Sequence, residues 1–399
     1  MVETPWLTII GLGEDGPEGL SPASRDALTQ AKVVMGPPRH LALLGETLAK
    51  QVEWPVPFAD GLPLLLALRG QRVVVLASGD PFCFGAGSVI AAHLDRREWR
   101  AFPTPSTFSL AAAQLGWRLE ETLCLGLHAA PLARLRPHLA SGARAIVLLR
   151  DGHAPHALAA WLCAQGFGET RMTVMESLGG PRQRITNAPA QALPNRDFAH
   201  PLCVALEVAG NGPALPRSSG IDDSFFETDG QITKRPIRAL TLSVLEPRAG
   251  LRLWDIGGGS GSIAVEWLLT HPTTQAVAIE PRADRAATIR RNADRLGVDR
   301  LQIVEGHAPK ALADLPRPDA VFIGGGLSDG MLDHLTTTLP QGTRLVANAV
   351  TLESEALLAS AQARLGGTLL RIELARAAPL GSKRGWKASY PVVQWAVVL

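Results

Sequence analysis

Residues 253–269 read LWDIGGGSGSIAVEWLL: a short apolar run, a glycine-rich turn and a helix-forming stretch. Gly257, Gly258, Gly259 and Gly261, with Ser260 between the last two, let the backbone turn sharply and come close to a ligand. The helix that follows presents unpaired N–H groups at its start. A strand that runs straight into a helix belongs to a parallel sheet, because parallel neighbours need a crossover. The junction therefore predicts a doubly wound α/β domain. Its surroundings agree, with strands expected at 251–256, 275–280, 301–304, 319–323 and 343–349. Helices are expected at 261–269, 282–297, 328–338 and 353–365. The closing YPVVQWAVVL is expected to add an antiparallel edge strand.

A domain's length of chain precedes this one. WLTIIGLG (6–13), RVVVLAS (72–78), RAIVLLR (144–150) and CVALEV (203–208) read as buried strands. Helices are expected at 21–31, opened by Ser21 and Pro22, and at 155–166, closed by Gly166. AGNGPALPRSSG (209–220), rich in Gly, Pro and Ser, reads as a linker. The chain thus divides into 1–208, a linker at 209–219, and 220–399.

Composition narrows the partners. A net charge of +2 offers no basic excess for nucleic acid. No run of 18 apolar residues suggests a membrane span, and MVETPWLTIIGLG lacks the basic start of a signal peptide. Cys83, Cys124, Cys163 and Cys203 are dispersed without a CxxC, so free thiols in a reducing cytoplasm are expected and no metal site is suggested.

Two ligand classes fit the glycine turn. Gly259 to Ala264 matches the GxGxxA dinucleotide fingerprint, so an NAD-dependent oxidoreductase is one reading. Asp255, two residues before the first glycine, favours S-adenosylmethionine: a carboxylate suits an ammonium and repels a pyrophosphate. Glu280, at the end of the next strand, can accept both ribose hydroxyls in either class. In the first half, Gly11, Gly13 and Gly16 form a loop without the Lys-Ser/Thr of a P-loop.

The blocks GIDDSFFETDGQITKRPIRALTLSVLEPRAGLRLWDIGGGSGSIAVEW, EGHAPKAL, VFIGGG and NAVTLES resemble the methyltransferase-and-decarboxylase half of the precorrin-6Y C5,15-methyltransferase family. IIGLGEDGPEGLSPASRDALTQAKVVMG, VVVLASGDPFCFGAGSVI, PTPSTFSLAAAQLGW and VMESLGGPRQRIT resemble tetrapyrrole methyltransferases, specifically the C5-methylating half of the same family. The resemblance implies a tetrapyrrole-methylase fold of two α/β lobes, then a Rossmann-like methyltransferase domain. It also implies two S-adenosylmethionine molecules per chain, a polycarboxylate tetrapyrrole substrate, and a homo-oligomer. By that match Leu12, Asp80, Cys83, Ser106, Thr107 and Leu178 line the first cofactor site. Thr233, Gly257 to Gly261, Glu280 and Ala308 line the second, joined by Asp255 from the reading of the turn itself. Lys383 and Arg384, on an expected loop with Arg376 and Lys387 nearby, are candidates for the substrate's carboxylates, as are Lys234 and Arg235. Departures from the family pattern stand at Ala129 and Ala130, at Arg182-Gln183, at His307 and at Gly325-Gly326. Another precorrin methyltransferase is the rival within the same class.

Overall fold

WLTIIGLG forms β1 (Leu7–Leu12), buried along its whole length, as a parallel strand covered on both faces must be. The computed structural model describes residues 5–399. They fall into two units, residues 5–130 with 139–213, and residues 131–138 with 214–399.

The first unit has two lobes. One sheet joins β1 to β2 (Val33–Gly36), β3 (Lys50–Glu53), β4 (Val73–Ser78) and β5 (Trp99–Phe102), all parallel, in the order β3-β2-β4-β1-β5. Its helices are α1 (Pro22–Gln30), α2 (Pro38–Leu44), α3 (Gly61–Leu66) and α4 (Ala86–Ala91). α1 begins as expected: the Ser21 hydroxyl accepts the Ser24 N–H at 3.2 Å and Pro22 follows. α5 (Thr107–Leu115) leads into the second lobe. That lobe holds β6 (Leu123–Gly126), β7 (Arg144–Leu148), β8 (Arg171–Glu176), β9 (Arg184–Pro189) and β10 (Leu202–Glu207). The order is β6-β7-β10-β8-β9, antiparallel except for β6 with β7. α6 (Ala154–Ala164) follows β7.

The second unit contains α7 (Arg235–Leu245), β11 (Arg252–Ile256), α8 (Ser262–Thr270), β12 (Gln275–Glu280), α9 (Ala283–Arg295) and β13 (Gln302–Glu305). It continues with β14 (Ala320–Ile323), α10 (Asp329–Thr338), β15 (Arg344–Ala349), α11 (Leu352–Leu365) and β16 (Thr368–Ile372). β17 (Ala375–Leu380), β18 (Lys383–Ala388) and β19 (Val392–Val398) complete it. The main sheet runs β13-β12-β11-β14-β15-β19-β16. The chain moves outward from β11 to β13, then returns to β14. The crevice beyond the carboxyl ends of β11 and β14 is therefore the switch point where doubly wound folds take ligands.

Two expectations are corrected. β19 is antiparallel to β15 but is not the edge: β16 pairs outside it, Thr368 opposite Ala396 and Ile372 opposite Val392. Val392 to Ala396 are all buried, which marks an interior strand. Lys383 and Arg384 lie on a strand and not on a loop; β18 pairs with β17 in a hairpin turning at Gly381-Ser382. The linker residues are also docked. The Gly212 N–H donates to the Gly166 carbonyl at 2.9 Å in the first unit, while Leu215 is buried in the core of the second. No helix among the described residues is long and apolar enough to cross a membrane.

Candidate functional site

The carboxyl ends of β1 and β4 carry short loops whose backbones cross closely. A Cβ on Gly11 would stand 1.8 Å from the Gly79 carbonyl oxygen, so only glycine fits there. Beyond this crossing lies a cavity of about 620 Å³, contained in the first unit. Leu12, Asp80, Cys83, Ser106, Thr107 and Leu178 all line it. Asp80 accepts the Phe82 N–H at 2.9 Å. Ser106 caps α5, accepting the Ser109 N–H at 3.1 Å. Burial, and then the neighbouring Asp80 charge, push the Cys83 thiol up against the opposing Ser106 hydroxyl. Cys83 is therefore a neutral packing surface at pH 7 and no nucleophile. Phe84, also on the lining, holds a left-handed backbone (φ 56°) with its ring tilted against Phe108 at 5.5 Å.

Four further residues of this cavity are not among the expected site residues, although Glu14 and Ser78 fall inside the blocks that carry the resemblance. Glu14, Arg39, His40 and Ser78 form one hydrogen-bonded group on its wall. PPRH had no periodicity to mark it, and only the position after β2, on the parallel sheet's ligand side, could have drawn notice. His128 lines the cavity as well, and Arg182 lies 3.5 Å from the Glu14 carboxylate.

In the second unit the glycine turn is as tight as its composition requires. Gly257, Gly259 and Gly261 have φ of 72°, 58° and 76°. A Cβ on Gly257 would stand 2.7 Å from the Gly325 Cα, so the turn and the Gly324–Gly326 loop approach backbone to backbone. The Gly257 and Gly258 N–H groups donate to the Ile279 carbonyl. Glu280, 3% exposed, accepts the Gly259 N–H at 2.9 Å and the Arg282 N–H at 3.1 Å. A carboxylate has about four acceptor positions, so Glu280 shapes the turn and keeps acceptor capacity. The buried Ser260 hydroxyl has no protein partner among the described residues.

Asp255 sits deeper than a simple ligand contact would. It is 1% exposed, and its Oδ2 accepts the Ala264 N–H at 3.1 Å. Gly261, the cap of α8, has no side chain to offer, so the strand supplies the capping acceptor. Burial pushes the Asp255 carboxyl up to about 7; the Ala264 N–H opposes the rise and the Glu280 charge adds to it.

The segment before α7 is pinned over this turn by a buried ion pair. Arg238, fully buried, donates to the Glu266 carboxylate of α8 and to the Thr233 carbonyl. Glu266 also accepts the N–H groups of Gly220 and Ile221. The Gln231 carbonyl faces the open side of Gly259, 3.6 Å from where a Cβ would be. Thr233 is thus held by its backbone, two residues beyond Gln231. Ala308 packs against the apolar layer of β11 and β12, and His307 is exposed. Lys383 and Arg384 are exposed on β18, opposite Leu380 and Pro379.

Residues 6–194 match the family of tetrapyrrole (corrin/porphyrin) methylases, and residues 224–399 match the precorrin methyltransferase domain. A precorrin-6Y C(5,15)-methyltransferase [decarboxylating] of Sinorhizobium sp is 50% identical, over 99% of this chain and 97% of that one. A probable cobalt-precorrin-6B C(15)-methyltransferase (decarboxylating) of Pyrobaculum calidifontis is 36% identical over 37% of this chain and 78% of its own. A cobalt-precorrin-7 C(5)-methyltransferase of Salmonella typhimurium is 28% identical over 50% of this chain and 98% of its own. Matched at half its residues and along nearly its whole length, the chain belongs to the family of decarboxylating precorrin-6Y C(5,15)-methyltransferases.

Proposed function

We propose that the chain methylates precorrin-6Y at C5 and C15 and removes carbon dioxide from the C12 acetate, with C5 methylation in the first unit. C15 methylation and decarboxylation then belong to the second. The observation that carries this reading is the convergence of Leu12, Asp80, Cys83, Ser106, Thr107 and Leu178, distant in sequence, on one cavity of the first unit. The glycine turn, Glu280 and the unpartnered Ser260 hydroxyl support a second cofactor site in the other unit. Existence of separate relatives named for C5 and for C15 methylation supports the division of labour.

S-adenosylmethionine, when bound, supplies a sulfonium methyl and leaves as a neutral thioether. Little acid catalysis is asked of the protein. Its task is to hold an electron-rich ring carbon in line with that methyl at about 3–3.5 Å. Asp80 and the capped start of α5 are polar groups fixed by their own backbone hydrogen bonds, and Leu12, Cys83 and Leu178 add an apolar wall. In the second unit the glycine turn allows close backbone approach, and Glu280 offers acceptors to paired hydroxyls. Decarboxylation needs a poorly solvated carboxylate and a later proton. Lys383 and Arg384, on a hairpin with Arg376 and Lys387 and without an acid, suit the remaining carboxylates. A cytoplasmic homo-oligomer completes the reading, and light scattering measures it.

The test is mass spectrometry of the product from precorrin-6Y and isotopically labelled S-adenosylmethionine. Two labelled methyl groups gained and one carbon dioxide lost are expected. A single methyl from the intact chain would overturn the two-site assignment.

A further inference from the structure

Arg39 opens α2, on the wall of the first unit's cavity, and its guanidinium is held from two sides. Nη1 donates to the Glu14 carboxylate. Nη2 donates to His40 Nε2 at 2.7 Å and to the Ser78 hydroxyl at 3.0 Å. A guanidinium has no acceptor, so His40 Nε2 must accept, which requires a neutral ring with its proton on Nδ1. Burial, and then the Arg39 charge, push His40 down to about 3, so the ring stays neutral throughout the physiological range.

This arrangement is expensive as a piece of architecture. Both side chains of the Glu14–Arg39 pair are largely withdrawn from water, at 8% and 28% exposure. Such pairs seldom stabilise a fold, because desolvation offsets their attraction. What the arrangement does achieve is orientation. Of the five N–H groups of Arg39, three meet Glu14, His40 and Ser78. That leaves the Nε–H and one Nη1–H without a protein partner among the described residues. Arg182 lies 3.5 Å from the same Glu14 carboxylate, so two cations share one anion and the group carries a net positive charge. The cavity it faces also contains Asp80, Ser106 and Thr107.

We infer that Arg39 is a substrate-binding residue of the first unit, taking an acidic side chain of the tetrapyrrole on its two open N–H groups, while Glu14, His40 and Ser78 are positioning residues that aim it. This rests on the proposed tetrapyrrole substrate and adds what recognises it in that unit. A ligand that is flat, apolar on its faces and anionic at its rim fits a cavity of largely apolar wall in which Arg39 is an oriented cation and Arg150 a second one. Arginine suits the task because its planar fork is pre-organised and always charged.

The test uses the full chain, with tetrapyrrole KM, kcat and S-adenosylmethionine affinity measured separately for C5 methylation of precorrin-6Y. Removing a hydrogen-bonded charge from a carboxylate is expected to raise the tetrapyrrole KM by about tenfold to a hundredfold. Arg39→Met is the first variant; since it strands Glu14 in a buried place, Arg39→Met with Glu14→Gln is the second, removing both charges together. Arg39→Lys should recover part of the loss. S-adenosylmethionine affinity, read by calorimetry, should stay within twofold in all three. Tetrapyrrole KM within twofold of the parent in the double variant would overturn the assignment. So would a parallel loss of cofactor affinity, which marks a structural role. If the parent chain does not bind precorrin-6Y at all, the functional reading falls and this assignment falls with it.

Discussion

Asp255 shows how one residue's surroundings settle its chemistry. An aspartate at a strand end before a glycine turn reads as a ligand contact, and the structure places it as the buried cap of α8. Its carboxyl, near 7 when folded, is near 3.9 in an unfolded chain. The folded pKa is the higher one, so the folded state binds the proton more tightly. Stability from this group is therefore fully present below about pH 3.9, is lost as pH rises toward 7, and is level above. Asp255→Asn should flatten the pH dependence of the second unit's unfolding between about pH 4 and 7, because an amide oxygen still accepts the Ala264 N–H without carrying charge. Denaturant unfolding across that range checks it; an unchanged slope would show that Asp255 titrates normally. Legibility at this scale followed chemistry. Gly257 to Gly261 and Glu280 were visible because glycine and a strand-end acid are rare signals. Leu12, Cys83 and Leu178 were not visible as isolated residues, since apolar residues beside buried strands look alike; family resemblance alone pointed to them. Arg39 had neither kind of signal.

At the scale of elements, the expected strands and helices of the second unit fall within two residues of the observed ones, because parallel strands buried on both faces are continuous apolar runs. The stretch LGSKRGWKASY reads as a loop in sequence, since its alternation is broken by Gly385, yet β18 within it pairs with β17 as a hairpin. Its signal was the two-residue Gly381-Ser382 turn, with Gly381 at φ 61°. α7 was also missed, hidden in a block notable for its resemblance. Its Arg238 is the residue that ties Thr233 and Ile221 to α8 through Glu266. Breaking a buried pair on one side leaves an uncompensated charge, so Arg238→Met should cost about 3–5 kcal/mol. Arg238→Met with Glu266→Met should cost less. Urea unfolding of the single and double variants measures both, and equal losses would mean that the acceptors taken from the Gly220 and Ile221 N–H groups cost as much as the stranded charge.

For the whole molecule, the division into 1–208 and 220–399 is close to the structural units but not identical with them. Leu215 is buried in the second unit's core, so a fragment that begins at Ala214 keeps a core contact that one beginning at Gly220 loses. Fragment 214–399, given precorrin-6Y and S-adenosylmethionine, should add one methyl and release one carbon dioxide. The C12 acetate and C15 lie on the same side of the ring, a few bonds apart, so one cleft can hold both. A methylated product that keeps all its carboxylates would move the decarboxylation to the first unit.

Residues 131–138 add a condition to any such dissection. They lie in the first half of the chain yet belong to the second unit, where Arg134 forms a two-pronged pair with Asp299 at 2.8 and 2.9 Å. Gly297 is bare because a Cβ there would stand 2.2 Å from the Ala133 carbonyl. No single cut in the polypeptide therefore yields both units whole. For protein engineers the two methyltransferases are not interchangeable cassettes: a first half borrowed from a free-standing relative would need its own counterpart of Ala133 and Arg134, or the recipient's Gly297 and Asp299 would be left shaped for a segment no longer there.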